Sequence, residues 1–217
     1  MSPGSGGGRN KRSRQENGDD AGLKEEDVSD LRAFLKKEET EMRAESRTLL
    51  NKELIARIES CKSLCDKANE HESYPEALSC GLVGDIRQEL TSCFRLGVRL
   101  ESFINTYQPP LASGGNVGVS AEVQEGIYQN VRAMTTESGS ALHRMLAYEK
   151  ERAVMRTKCT DEAVWERYQA VLEANQMHEV QKCCFEMHSL LLLIGNSVLS
   201  NLEHLRGEDT KALAHMY

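Results

Sequence analysis

Residues 86–107 read IRQELTSCFRLGVRLESFINTY and have the most regular apolar pattern in the chain. Its small and apolar residues recur at alternating steps of four and three without a break, at Ile86, Leu90, Cys93, Gly97, Leu100, Ile104 and Tyr107. This alternation averages about 3.5 residues, which is the period of helices packed side by side in a bundle. The stretch therefore predicts a long helix that buries one face against other helices.

Three further stretches carry similar stripes, so we predict helices over about 23–68, 81–107, 120–156 and 161–206. The first stripe is Leu31, Leu35, Met42, Leu49 or Leu50, Leu54, Ile58, Cys61 and Cys65. The third is Val123, Ile127, Val131, Met134, Ala141 and Met145, interrupted by Ser138. The fourth is Val164, Tyr168, Val171, Met187, Leu191, Ile194, Val198, Leu202 and Leu205.

Breaks between these stripes set the connections. Residues 69–80 contain Pro75 and little apolar periodicity, so they read as a short connection, while Pro109 and Pro110 end the second helix. Ser120 is a candidate N-cap for the third helix, and Thr160 or Asp161 begins the fourth. Long helices joined by short connections lie antiparallel. We predict an all-α fold, a long antiparallel four-helix bundle over 23–206.

The apolar surface of the fourth helix is wider than one stripe. Leu190, Leu192 and Leu193 add apolar side chains beside it, and a thin bundle cannot bury all of them by itself. We therefore expect side-by-side packing with other copies of the chain.

Composition narrows the class of partner. The chain has 217 residues, of which only four are prolines, and its formal net charge is −7. Because this charge is negative, nucleic acid and anionic membranes are not expected partners. Residues 1–22 are rich in glycine and predict a disordered tail. The basic cluster Arg9, Lys11, Arg12 and Arg14 in that tail reads either as a nuclear-import signal or as a solubilising segment.

The seven cysteines are odd in number and follow no framework spacing, so we expect reduced thiols and a cytoplasmic location, with the nucleus as a second compartment. No pair has the CxxC spacing of a structural zinc site. The glycines of residues 4–8 and Gly114, Gly115 and Gly118 lack the lysine and hydroxyl of a phosphate-binding loop. No metalloprotease or nucleophile-elbow motif occurs in the sequence. We predict no enzyme activity, no cofactor and no metal.

Two segments resist a purely structural account. The connection 108–119, QPPLASGGNVGV, combines prolines with glycines and is longer than two long helices require. The chain beyond Leu205 reads RGEDTKALAHMY and ends on His215, Met216 and Tyr217. Taken alone, these segments read as a spacer and a frayed terminus.

Taken together, they resemble the 11S, or REG, family of proteasome activators. Residues 109–119 are similar, without a gap, to the family's activation loop, whose common form in animals is P-R-I-E-D-G-N-N-F-G-V. The matching residues are Pro109, Gly114, Asn116, Gly118 and Val119. The terminal His-Met-Tyr is similar to family endings such as Met-Ile-Tyr, and the four-helix plan matches over nearly all of the chain after residue 25.

The resemblance implies a heptameric ring that caps the 20S proteasome without using ATP. Its tails, residues 207–217 with His215, Met216 and Tyr217, would enter pockets of the proteasome α-subunit ring. Its activation loops, residues 108–119, would press on the gate and open it. The loop residues implied are Pro109, Ser113, Gly114, Gly115, Asn116, Val117 and Gly118.

The sequence also departs from the family. Ala112 and Ser113 stand where many relatives have a Glu-Asp pair, so a gate contact through those carboxylates is absent. The connection between the first two helices lacks the Lys/Glu-rich insert of some animal members. Two other functions stay open on the residues alone: a helical scaffold or adaptor with no gate to open, and a thiol or metal enzyme.

Overall fold

The computed structural model describes residues 28–107 and 121–201, which are almost entirely helical and contain no strand. The α-helices are α1 (Ser29–Thr48), α2 (Leu54–Glu70), α3 (Tyr74–Ser79), α4 (Leu82–Tyr107), α5 (Ala121–Lys158) and α6 (Glu162–Ser200). A π-helical segment, Leu49–Glu53, joins α1 to α2. The all-α prediction is confirmed for this part of the chain.

The chain divides into two units between Glu38 and Glu39, within α1. The described part of the first unit is a single helical segment, and its apolar residues Leu31, Phe34 and Leu35 are more than half exposed. Among the described residues of this unit, 28–38, no second helix covers them. The predicted stripe of the first helix is therefore not a buried face at Leu31 and Leu35.

In the second unit, the long helices pack pairwise in opposite directions. Arg87 of α4 bonds Glu149 of α5, while Gly97 of α4 lies against Thr135, earlier in α5. As one helix advances, its contacts move backwards along the other. The same reversal relates α5 to α6, where Asn130 contacts Ser197 and Arg144 contacts Glu179.

The α2 helix closes the arrangement against both α4 and α6. Arg57 of α2 bonds Glu89 of α4 at 2.8 Å, and Gln181 of α6 donates to the carbonyl of Ala68 at 3.2 Å. The helices α2, α4, α5 and α6 thus share one hydrophobic core, to which α3 and the π-helical segment also contribute. Its most deeply buried large side chains include Ile86, Leu96, Met134, Met145, Met187, Leu191 and Ile194.

Two local features differ from the sequence prediction. Residues 69–80, predicted as a connection, contain the short helix α3, which begins after Ser73 and has Pro75 in its first turn. Gly81 then turns the chain into α4 with a φ of 86°, which glycine adopts without steric cost. The second feature is the π-helical turn, which buries Leu49 to 2% exposure where the sequence left Leu49 and Leu50 undecided.

In the first half of α6, only Tyr168 of the predicted stripe packs against the core. Val164 and Val171 are 46% and 60% exposed, and their neighbours Trp165 and Leu172 are buried instead. The two valines therefore lie one position away, along the sequence, from the residues that form the packed face. The second half follows the prediction, since Met187, Leu191 and Ile194 are buried in the core.

By length and composition α6 could also cross a membrane, since one 18-residue window has a mean hydropathy of 1.4. Core helices of water-soluble proteins meet the same criterion. Val180, Cys183 and Met187 of this helix lie in the core shared with α2 and α5. One such helix is therefore weak evidence for a membrane span.

Candidate functional site

One end of the helical assembly collects the residues that flank both segments singled out by the sequence. The Asn130 side chain, near the start of α5, donates a hydrogen bond to the Ser197 hydroxyl, near the end of α6, at 2.8 Å. Because α4 and α5 are antiparallel, Tyr107 at the end of α4 also lies towards the start of α5. The connection 108–120 and the chain after Asn201 therefore leave from the same end.

The predicted functional residues themselves lie outside the described residues. This applies to the candidate N-cap Ser120, to the loop residues Pro109, Ser113, Gly114, Gly115, Asn116, Val117 and Gly118, and to the tail residues His215, Met216 and Tyr217. The structure supplies the positions from which these segments start, and their roles remain predictions.

Burial at this end and polar contacts farther along hold α5 in place. Gln124 lies one turn inside α5 and is only 4% exposed, so the first turns of α5 are packed rather than splayed. Farther along, the Arg144 guanidinium bonds both Glu137 of its own helix and Glu179 of α6. Charge-assisted contacts of this kind fix the register of α5 against α6.

The opposite end is closed by a helix cap. The Asp161 carboxylate accepts hydrogen bonds from the backbone N–H groups of Ala163 and Val164, at 2.9 and 3.2 Å. These bonds satisfy two of the four donors that a helix start leaves unpaired. Of the two residues that the sequence offered as the start of the fourth helix, Asp161 is the cap.

An open groove of about 530 Å³ runs along the side of the assembly between α4 and α5. Its lining includes Phe94, 39% exposed, and Glu101, whose Oε1 is buried with no hydrogen-bond partner among the residues that the structure describes. Phe94 sits against Gly139, where an added Cβ would lie 3.6 Å from the ring. The groove thus exposes an aromatic ring beside an unsatisfied acceptor.

Comparison with known families decides the family. The sequence matches the family described as "Proteasome activator PA28, C-terminal" over residues 73–210, which is more than half of the chain. The chain belongs to the proteasome activator PA28 family. The resemblance found in the sequence is thereby confirmed. A search of curated proteins finds no match to this chain.

The PA28 match spans α3 to α6 and the connection 108–120, and it ends before His215. The proteins of this family are activators rather than enzymes. Within the matched region, the loop and the first residues of the tail are thus part of the family pattern, whereas the last seven residues lie beyond it.

Sequence reasoning missed a polar cluster in the core of this PA28 protein. The Sγ atoms of Cys61 in α2 and Cys93 in α4 are 3.9 Å apart, and Oε1 of Glu89 lies 3.9 and 3.8 Å from them. Both cysteines stood in predicted apolar stripes, but Glu89 was not singled out. A buried carboxylate between two helices has no local sequence signature that could have revealed it.

Burial and neighbouring groups set the ionisation of the core thiols. The hydrogen bond with Cys93, together with burial, raises the pKa of Cys61. Burial raises the pKa of Cys65 to about 11, and the contact with Cys183 raises that of Cys184. None of the seven cysteines forms a disulfide. Cys61, Cys65 and Cys184 therefore stay protonated at neutral pH and are poor nucleophiles.

Proposed function

We propose that this chain is an ATP-independent activator that caps the 20S proteasome as a heptameric ring of four-helix-bundle protomers. In this proposal the tails, residues 207–217, dock on the proteasome α-subunit ring, and the loops, residues 108–119, open its gate. Membership of the PA28 family carries the proposal. The resulting activity is faster hydrolysis of peptides by the proteasome.

The shared end of the helices supports this division of labour. Tyr107 and Ala121 flank the loop, and Ser200 precedes the tail, all at the end marked by the contact of Asn130 with Ser197. A cap that docks with one face needs its anchoring and gating segments on that face. The antiparallel order of α4, α5 and α6 meets this requirement.

The affinity of docking comes from several tails that bind together, that is, from avidity. One tail offers a single carboxylate, after Tyr217, and one aromatic ring, and such a contact binds weakly. Seven tethered tails bind at a high effective concentration, so the ring can bind well without any stronger single contact. A lysine in the receiving pocket is the natural partner for the carboxylate, since charge-assisted hydrogen bonds are the stronger ones.

In this proposal the loop, residues 108–119, opens the gate. A ligand shifts an equilibrium only by contacting one state better than the other, so the loop must contact the open gate better than the closed one. Asn116 is flanked by Gly115 and Val117, tolerates tight turns, and offers both a donor and an acceptor. Because Ala112 and Ser113 replace an acidic pair of relatives, Asn116 carries a larger share of that contact here.

Side-by-side assembly would cover apolar surface that a single chain leaves open. Phe185 and Leu199 of α6 are 67% and 70% exposed, and Leu192 and Leu193 more than 40%. Leu146 of α5 is also 61% exposed. Apolar side chains of this size on two of the long helices suit an interface between copies. The groove with Phe94 and the unsatisfied Glu101 oxygen offers a further place for a neighbour's side chains.

We place this function in the cytoplasm, with the nucleus as a second compartment, because the chain keeps its cysteines unpaired and carries a basic cluster in residues 9–14.

A measurement of native mass, followed by a binding assay, tests the assembly. The full-length protein should have the mass of seven chains and sevenfold symmetry, and it should sediment with purified 20S proteasome. A stable dimer that does not sediment with the proteasome would favour the helical scaffold instead.

A further inference from the structure

Two thiols and a carboxylate meet between α2 and α4, and none of the three belongs to the segments 108–119 and 207–217 that the proposed function uses. Cys61, Glu89 and Cys93 are only 3%, 7% and 0% exposed. The three facing atoms, two Sγ and the Glu89 Oε1, are 3.8 to 3.9 Å apart in every pair. They form a nearly equilateral triangle inside the protein.

We propose that Cys61, Glu89 and Cys93 form a binding site for a thiophilic divalent cation, with Zn²⁺ as the expected metal. Zinc binds thiolate sulfur at about 2.3 Å, so two sulfur ligands of a tetrahedral ion are roughly 3.8 Å apart. The observed triangle has this edge length. An ion near its centre would reach all three atoms with little movement of either helix.

The other carboxylate oxygen holds Glu89 in the orientation that the site needs. Oε2 accepts a hydrogen bond from the Arg57 guanidinium at 2.8 Å and another from the Ser60 hydroxyl at 2.8 Å. Oε1 is thereby turned towards the two sulfurs. Metal-binding carboxylates are held in this way by hydrogen bonds from neighbouring residues.

The charges in the site also balance. Two thiolates and one carboxylate carry three negative charges, and Zn²⁺ together with the Arg57 guanidinium carries three positive ones. A buried group of charges is tolerated when it is paired and hydrogen-bonded. Plain packing of a helix interface, by contrast, does not call for a carboxylate between two thiols, because Glu is seldom buried.

Binding exchanges protons for metal. Zinc binds cysteine as the thiolate, so each of the two thiols must give up its proton when the ion binds. Two S–H bonds are lost, two S–Zn bonds form, and two protons go to solvent. Affinity should therefore rise with pH. The bound ion would link α2 to α4 and stabilise the protomer, whether or not the chain activates a proteasome.

Titration of the reduced full-length protein with Co²⁺ tests the site. Co²⁺ binds in place of Zn²⁺, and the absorption spectrum of the bound Co²⁺ depends on the ligands around it. We expect about one Co²⁺ per chain, a thiolate-to-cobalt charge-transfer absorption in the near ultraviolet, visible bands of tetrahedral intensity, and displacement by Zn²⁺. A stoichiometry near zero, or bound Co²⁺ without thiolate absorption, would overturn the proposal.

Variants locate the ion. Cys93→Ser should remove most of the thiolate absorption, and the isosteric Glu89→Gln should weaken Zn²⁺ binding by about tenfold or more. Ser60→Ala, a mild change at a partly exposed residue, should weaken it by about tenfold through loss of the bond to Oε2. Unchanged affinity in both Glu89→Gln and Ser60→Ala would contradict the assigned ligand set.

An exposed pair supplies the matched control. The Cys80 Sγ lies 3.5 Å from Nε2 of His71, so this pair can bind metal adventitiously. Cys80→Ser should leave the cobalt spectrum unchanged. If Cys80→Ser abolished it while Cys93→Ser did not, the ion would belong to the surface pair and the buried site would be refuted. Zn²⁺ should also raise the unfolding temperature of the wild type and of Cys80→Ser, but not that of Cys93→Ser.

Discussion

The side-chain amide of Asn130 donates a hydrogen bond to the hydroxyl of Ser197 at 2.8 Å, joining the start of α5 to the end of α6. These residues are far apart in sequence, yet each lies within about ten residues of a segment that the PA28 resemblance implicates. The contact fixes the relative height of the two helices. Loop and tail therefore begin at one face of the molecule.

The tight contact of Gly97 in α4 with α5 leads to a prediction about stability. A Cβ at Gly97 would lie 2.2 Å from Oγ1 of Thr135 and 3.2 Å from Cε of Met134. We expect Gly97→Ala to lower the free energy of unfolding by up to about 2 kcal/mol, because overpacking costs about 1–3 kcal/mol and the gain in helix propensity offsets about 1. Urea unfolding at one fixed protein concentration measures this.

Gly84, in the same helix, is the matched control, since a Cβ there would have no atom within 4 Å. Gly84→Ala should be neutral or stabilise by up to about 1 kcal/mol. Adding Thr135→Ala to Gly97→Ala should restore part of the loss, as a double-mutant cycle would show. Equal effects of Gly84→Ala and Gly97→Ala would contradict the close packing of α4 on α5.

A buried tyrosine pair predicts a loss of stability in alkali. Tyr148 packs edge-to-face on Tyr74, with ring centroids 4.9 Å apart, and burial raises the pKa of Tyr148 from 10.0 to about 12. The folded state thus favours the neutral phenol. The contribution of Tyr148 to the free energy of unfolding is constant below pH 10 and is lost as pH rises from 10 to about 12.

Tyr148→Phe removes the titrating group and keeps the ring. We expect the free energy of unfolding of this variant to fall less steeply with pH between pH 10 and 12 than that of the wild type. Other groups ionise in the same range, so the difference between the two slopes is the informative quantity. Identical slopes would show that Tyr148 is not held neutral by burial.

The tail prediction concerns binding alone. Removing Met216 and Tyr217, or adding residues after Tyr217, should abolish binding to the 20S proteasome and leave the native mass unchanged. A pocket built for a terminal carboxylate rejects a chain that continues past it. Co-sedimentation measures this, and the same residues added before Met1 serve as the control. Unchanged binding by the C-terminally extended protein would show that the tail is a frayed end with no role in docking.

The loop prediction separates binding from gating. Asn116→Tyr should distort the turn that Gly115 and Gly118 allow, so the variant should bind the proteasome without stimulating it. Added in excess, it should suppress stimulation by the unmodified protein, since both occupy the same end of the proteasome. Peptide hydrolysis and co-sedimentation together measure the two effects.

The control for the loop is the same chemical change on an exposed helix position, Asn175→Tyr in α6. It should stimulate like the wild type, provided that its native mass shows an intact ring. Normal stimulation by Asn116→Tyr would make the loop a spacer. Joint loss of binding and stimulation in an intact Asn116→Tyr ring would show that the two steps are not separable.

Regular periodicity explains which parts of the fold could be predicted from the sequence. The unbroken stripe of α4 places Ile86, Leu90 and Leu100 in the core, where the structure has them. One periodic face was enough there because α4 packs on several helices along its length. Ser138 interrupts the third stripe and is nevertheless fully buried, because its hydroxyl bonds to the carbonyl of Met134 at 2.7 Å.

Features set by long-range contacts could not be predicted. The π-helical turn Leu49–Glu53 shifts the packing face by a residue without a sequence signal, and in early α6 the core takes Trp165 rather than Val164. The cluster of Cys61, Glu89 and Cys93 arises only when α2 meets α4. The family, by contrast, was predicted from loop and tail motifs, which are local, and the match over 73–210 confirms it.

Stimulation of latent 20S proteasome is the decisive measurement for the proposed function. The purified full-length protein is titrated into the proteasome without ATP, and hydrolysis of a short fluorogenic peptide is followed. We expect a saturable increase in hydrolysis that is lost on removal of Met216 and Tyr217. No increase at saturating concentrations of an intact ring would contradict it.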